Sequence, residues 1–202
     1  MKPHAAAGPL LTSIRALAVA CLLLLPARSA AIASTWAADT SGLQFLGFRA
    51  GAPLDEIEAH LGRMGGGQMR CRRSRVDSRV TECRAQLKDQ EQGSVLDVWI
   101  SAIDSVAGVM TLSAPLAPEQ LVQWQVALEG RYGRVGTRVQ GAQRMLQWVR
   151  RGRMLRLTWR LERGRKVASV SLVDGHVLDA WGRSRLQSAT QAQLAYPASR
   201  TR

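Results

Sequence analysis

The stretch Leu155-Arg-Leu-Thr-Trp-Arg-Leu-Glu162 constrains the fold of this chain more than any other. Leu155, Leu157, Trp159 and Leu161 alternate with Arg156, Thr158, Arg160 and Glu162. A period of two belongs to a strand with one face on a core and the other on solvent. Such a strand needs antiparallel neighbours along its edges and a cover over its apolar face. The runs 143–150 and 166–173 supply the neighbours. Arg151-Gly152 and Arg163-Gly164 sit where two-residue hairpin turns demand positive φ.

The cover precedes the strands. Pro118 and Glu119 open a helix whose apolar stripe is Leu121, Trp124, Leu128 and Tyr132, ending around Gly130 to Gly133. The first half of the chain follows the same order. Pro53 starts a helix, with Asp55, Glu56 and Glu58 near its positive end and Leu54, Ile57 and Leu61 as its stripe, and Gly62 closes it. Strand-like runs follow at 68–73, 79–87, 95–101 and 106–113. The expected fold is therefore α+β: an antiparallel sheet with helices on one face, built from two successive helix-plus-meander units. Residues 34–181 form this domain, and the polar stretch 182–202 reads as a flexible C-terminal tail.

The first 33 residues read as a secretory signal. Lys2 and Arg15 precede the ten-residue apolar run Ala16 to Leu25, then come Pro26 and the small-x-small Ala31-Ile32-Ala33 before Ser34. Ten helical residues span about 15 Å, half of a bilayer core, which favours a cleaved signal over a retained anchor. Cys21 sits inside the apolar run rather than after it, which argues against a lipoprotein. In either the cleaved or the anchored case the globular part faces the periplasm, and the latter places it as an accessory subunit tethered to a membrane complex.

Removing the signal leaves Cys71 and Cys83. A hairpin folded about Asp77 sets these two opposite each other, which suits a disulfide in an oxidising compartment. A metal site is the weaker alternative, since neither cysteine has a histidine or a second pair near it.

The entry to the first helix, Gly47-Phe-Arg-Ala-Gly-Ala-Pro-Leu-Asp-Glu-Ile-Glu-Ala-His-Leu-Gly62, resembles that of exported domains with the β-lactamase-inhibitor-protein-like fold, of the SmpA/OmlA type. The resemblance covers 16 residues. It implies helices packed on one face of an antiparallel sheet whose other face or edge binds protein.

No catalytic constellation stands out, and neither a metal nor a cofactor is expected. Past the signal only His60 and His176 remain as candidate bases. His60 reads as a helix residue and His176 as a loop residue, and neither lies in a nucleophile setting. A cleft joining either to carboxylates would mark a small periplasmic enzyme or inhibitor. Gly65-Gly-Gly67 lacks the Lys-Ser/Thr of a phosphate loop and reads as a connector.

Charge is the distinctive property. The 202 residues carry 28 Lys and Arg against 15 Asp and Glu, a net +13. Arg70, Arg72, Arg73, Arg75 and Arg79 crowd the cysteine hairpin. Arg150, Arg151 and Arg153 crowd another turn, and Arg156, Arg160, Arg163, Arg165 and Lys166 form a third group. Export excludes nucleic acid as the natural partner. The first two groups are expected to form a basic face for another envelope protein or an anionic envelope component, with membrane contact limited to the N-terminal segment or the basic loops. Solvated hairpin tips and an arginine-rich coding bias give the same pattern without a partner. Trp99 and Trp148 are expected to add aromatic contacts on a polar sheet face. The function implied is a non-enzymatic protein-binding or assembly module of the cell envelope.

Overall fold

The computed structural model describes residues 42–88 and 94–195. The expected signal segment with Cys21 lies outside the described residues, as do Trp36 and residues 196–202.

The chain runs α1 (Leu54–Arg63), β1 (Arg70–Arg73), β2 (Val80–Lys88), β3 (Val95–Ile103) and β4 (Val106–Leu116). It continues as α2 (Pro118–Tyr132), β5 (Arg138–Gln140), β6 (Gln143–Arg150), β7 (Arg153–Glu162), β8 (Arg165–Asp174) and α3 (Gly175–Ala195). All strand pairings are antiparallel, in one eight-stranded sheet of order β1-β2-β3-β4-β8-β7-β6-β5. Each half of the chain is a helix followed by a four-strand meander. The two meanders join along β4 and β8, from Val109 opposite Val173 to Leu116 opposite Lys166.

The register explains the core. Cys83, Ile100, Met110, Leu172, Leu155 and Trp148 form one cross-strand row on the same face, and all are buried. The apolar stripes of α1 (Ile57, Leu61) and α2 (Leu121, Trp124, Leu128, Tyr132) close over this face and join the same core. The segment leading into α1 belongs to it as well. Leu43, Phe45, Phe48, Ala50 and Ala52 are buried, and the Phe45 ring meets Trp124 edge-on at 4.9 Å. Tyr132 Oη ties the start of this segment to the end of α2, donating to the Gln44 carbonyl at 2.7 Å.

Local chemistry sets the boundaries. α1 runs past Gly62 and is closed instead by Gly65 (φ +73), with the Gly66 N–H reaching the Leu61 carbonyl at 2.8 Å. That bond reaches back five positions, and only a residue at ease in the left-handed region allows it. The glycine run is thus a helix cap pinned to β2 rather than a free connector, since Gly67 N–H also bonds the Gln86 carbonyl. Both residues of the Arg151-Gly152 and Arg163-Gly164 turns have positive φ, as tight hairpins require.

Cys71 and Cys83 are register partners across β1 and β2 and form a disulfide, with Cα atoms 4.0 Å apart. Closing a loop of this length removes roughly 3 kcal/mol of unfolded-chain entropy in the polymer model. The bond fastens a four-residue edge strand that is exposed along its whole length.

The expected tail from residue 182 is corrected over 182–195: it belongs to the 21-residue α3. Asp174 starts that helix, its Oδ1 accepting the N–H groups of His176 (2.9 Å) and Val177 (3.3 Å). The stretch is polar, yet Ala, Gln, Leu and Arg are strong helix formers. α3 packs on β3, β4 and β7 and reaches the β1–β2 turn.

Candidate functional site

One face of the sheet carries α1 and α2; α3 packs against one end of β3 and β4, its Val177 and Leu178 beside Gly108 and buried Ile103, and the rest of the face away from α1 and α2 has a graded side-chain profile. The central strands β4 and β8 present Thr111, Ser113, Ser169 and Ser171, and β7 adds Thr158. Thr111 and Ser171 hydroxyls lie 3.1 Å apart, and those of Thr158 and Ser169 lie 2.7 Å apart. Larger residues flank this floor. Arg70, Arg84 and Trp99 stand in one row on the β1–β3 side, and Arg156 and Arg160 stand on the β7 side. Small side chains between tall ones make a trough. It holds hollows of about 700 Å³ and 240 Å³ that share Ser113 in their walls. Four strand spacings separate Arg84 from Arg156, about 19 Å.

The structure divides the expected site residues. Trp99 is half-buried on the open face, between Arg84 and Thr111 in register. Trp148 is not there: it is buried beneath α2 and donates from Nε1 to the Gly133 carbonyl at 2.7 Å. Its flanking arginines suggested exposure, but β6 turns that side of the strand to the core.

The expected basic face does not form as one surface. Arg70 and Arg72 are on the open face, and Arg72 pairs with Glu82 at 3.8 Å. Arg73 and Arg75 are exposed at the end of the same hairpin. Arg79 is engaged by Asp104 at 2.7 Å and by the Ser184 hydroxyl. Arg150 donates to the Tyr132 carbonyl at 2.8 Å and lies over the Tyr132 ring. Arg151 is a turn residue whose carbonyl bonds His176, and Arg153 pairs with buried Asp174 at 2.7 Å. Arg79, Arg150 and Arg153 thus hold the fold together, because each found a carboxylate or carbonyl to satisfy its fork.

The residues that build the trough floor escaped the sequence reading. Their signal was the period-two placing of small hydroxyls in Thr111-x-Ser113 and Ser169-x-Ser171, where larger polar residues are the norm on an open face.

Both histidines serve turns. His60 Nε2 is 2.9 Å from the Leu46 carbonyl, its ring against Gly47 (φ +79); His176 Nε2 is 3.0 Å from the Arg151 carbonyl, its ring against Gly152 (φ +72). A Cβ on either glycine would strike the ring at 2.7 Å or less. Each imidazole spends its Nε2–H on a backbone carbonyl. His176 is in the first turn of α3 rather than in a loop. Among the described residues no group of three His, Cys, Asp or Glu is placed to hold a metal ion.

A second cluster anchors α3. Trp181 Nε1 donates to Asp77 at 2.8 Å, while Arg79 links Asp104 to Ser184. The Trp181 indole, then the Arg79 backbone N–H, hold the Asp77 carboxyl below its ordinary 3.8. The Arg79 guanidinium does the same for Asp104 and is itself raised. A lowered carboxylate adds its stability in full above the ordinary value and loses it as pH falls through the lowered one. Amide-exchange protection in α3 is accordingly expected to be flat between pH 5 and 8 and to drop on acidification below about 3.8. Asp77→Asn should flatten that acid response; an unchanged profile would show that the cluster does not hold the helix.

No protein-family model, no curated protein and no solved structure matches this chain. Fold and site together define a class: an α+β domain of two helix-plus-meander units and a C-terminal helix, with a trough floored by hydroxyls on the sheet face away from α1 and α2.

Proposed function

We propose that this is a non-enzymatic, exported protein of the cell envelope that docks a protein partner on the open face of its sheet. The observation that carries the reading is the trough itself. At its centre the fold places four half-buried hydroxyl-bearing positions and a fifth, Thr158, that is buried, on the face that α1 and α2 do not cover. Scattered surface polarity explains isolated serines; it does not explain small residues confined to the middle and arginines confined to both banks. The disulfide and the N-terminal apolar run support a periplasmic setting. The engagement of both histidines by turn carbonyls supports a binding role over catalysis. The entry stretch Gly47 to Gly62 and the doubled helix-then-meander order support a β-lactamase-inhibitor-protein-like architecture.

A photo-crosslinking residue at Ser169 should yield a discrete adduct in intact envelopes, and one at exposed Val126 on α2 should not. Equal labelling at both positions, or none at Ser169, defeats the proposal. N-terminal sequencing adds the compartmental detail: Ser34 first marks a released protein, Met1 one tethered by an uncleaved segment.

A further inference from the structure

Arg70 and Arg84 are direct cross-strand partners on the open face. Like charges placed opposite each other on a sheet repel, and such a pair normally has an acid beside it. Here neither guanidinium has a hydrogen-bond or ion-pair partner among the described residues. Of the acids on the same face of β2 and β3, Glu82 pairs with Arg72 at 3.8 Å, while Asp97 lines the same hollow, accepts from the Gln86 amide at 3.0 Å and makes no ion pair with either arginine among the described residues. What keeps the two cations together is the disulfide one residue further along both strands, on the opposite side of the sheet. Trp99 completes the row, and all three line the larger hollow.

We propose that Arg70, Arg84 and Trp99 form an anion-reading subsite that takes a carboxylate of an acidic protein segment lying in the trough. Two forks that line one hollow can each grip a carboxylate by paired N–H bonds, and the indole offers an apolar wall and a donor without a partner among the described residues. A carboxylate removes the repulsion that the disulfide imposes, so the site is poised for an anion before one arrives. The hydroxyl floor beside it suits a peptide backbone. The inference rests on the open face being the docking surface, and it adds the chemistry that the face selects.

The probe is a hexaglutamate peptide, with hexaglutamine as its neutral counterpart, titrated into the isotope-labelled full chain at low salt. Hexaglutamate should shift the Trp99 indole N–H and the Arg70 and Arg84 Nε–H resonances, and hexaglutamine should not. Arg84→Gln should weaken hexaglutamate about tenfold, and Arg75→Gln, on the same hairpin but off the trough, far less. Arg84→Gln should also leave the thermal midpoint unchanged or raise it, because a repulsion has gone. Equal weakening by Arg75→Gln, or a lowered midpoint with unchanged binding, overturns the proposal. So does a Trp99 response to phosphatidylglycerol vesicles without one to hexaglutamate, which would assign the forks to a lipid headgroup. If Ser169 crosslinks persist while Arg70→Gln and Arg84→Gln change neither crosslinking nor hexaglutamate binding, the subsite falls and the docking face stands.

Discussion

Trp148→Ala is expected to destabilise the fold by about 3–5 kcal/mol, the range for truncating a buried aromatic. The ring is 3 % exposed, lies tilted against Tyr132 at 6.3 Å and faces Leu155 across the strand pair. Its indole N–H satisfies the Gly133 carbonyl at the end of α2. Removing it opens a cavity under the helix and leaves that carbonyl unpaired. Domains of this size are stable by about 5–15 kcal/mol in total. Urea unfolding should therefore show a large drop in midpoint with an unchanged slope. A variant with a native midpoint that lost only a binding partner would return Trp148 to the role its flanking arginines suggested.

Asp174→Ala should come next, at about 2–4 kcal/mol. The carboxylate is 2 % exposed and acts twice: Oδ2 pairs with Arg153, and Oδ1 accepts two N–H groups that open α3. Losing a helix cap costs about 1 kcal/mol, and leaving a partly buried guanidinium unpaired adds more, reduced here because Arg153 keeps some solvent. The environment has no slack, since a Cβ at Gly51 would collide with this carboxylate. Asp174→Asn keeps an oxygen for the cap but drops the charge, so it should retain exchange protection in α3 while losing much of the ion-pair contribution. Equal protection of α3 in the Ala variant and the parent would show that the helix does not depend on Asp174.

How far the fold could be read in advance depended on which residues repeat. The stripe Leu121, Trp124, Leu128, Tyr132 and the alternation from Leu155 onward gave α2 and β7, because burial imposes a period the eye can count. The cysteine spacing about Asp77 gave a strand register, because a hairpin admits only one partner for each residue. β5 was missed, being three exposed residues with no alternation to detect. α3 was missed because its composition is polar; its start depends on a capping carboxylate whose geometry no periodicity encodes. The arginines were legible as a charge and illegible as a site. Arg79, Arg150 and Arg153 are tied to residues 25, 18 and 21 positions away, so only folding tells them from Arg70 and Arg84. Trp148 shares its side of β6 with Arg144 and Arg150, and alternation alone does not tell that α2 covers that side.

The seam between β4 and β8 bears on how the molecule comes into being. β4 is eleven residues long and, until the final strand arrives, presents a bare row of backbone donors and acceptors. A polypeptide emerging amino end first thus completes its sheet only after β8 has been delivered, and the trough does not exist before that moment. During that interval the last strand of a neighbouring molecule can fill the same gap. Intertwined dimers that exchange the segment carrying β8 are therefore the misassembly to expect at high concentration.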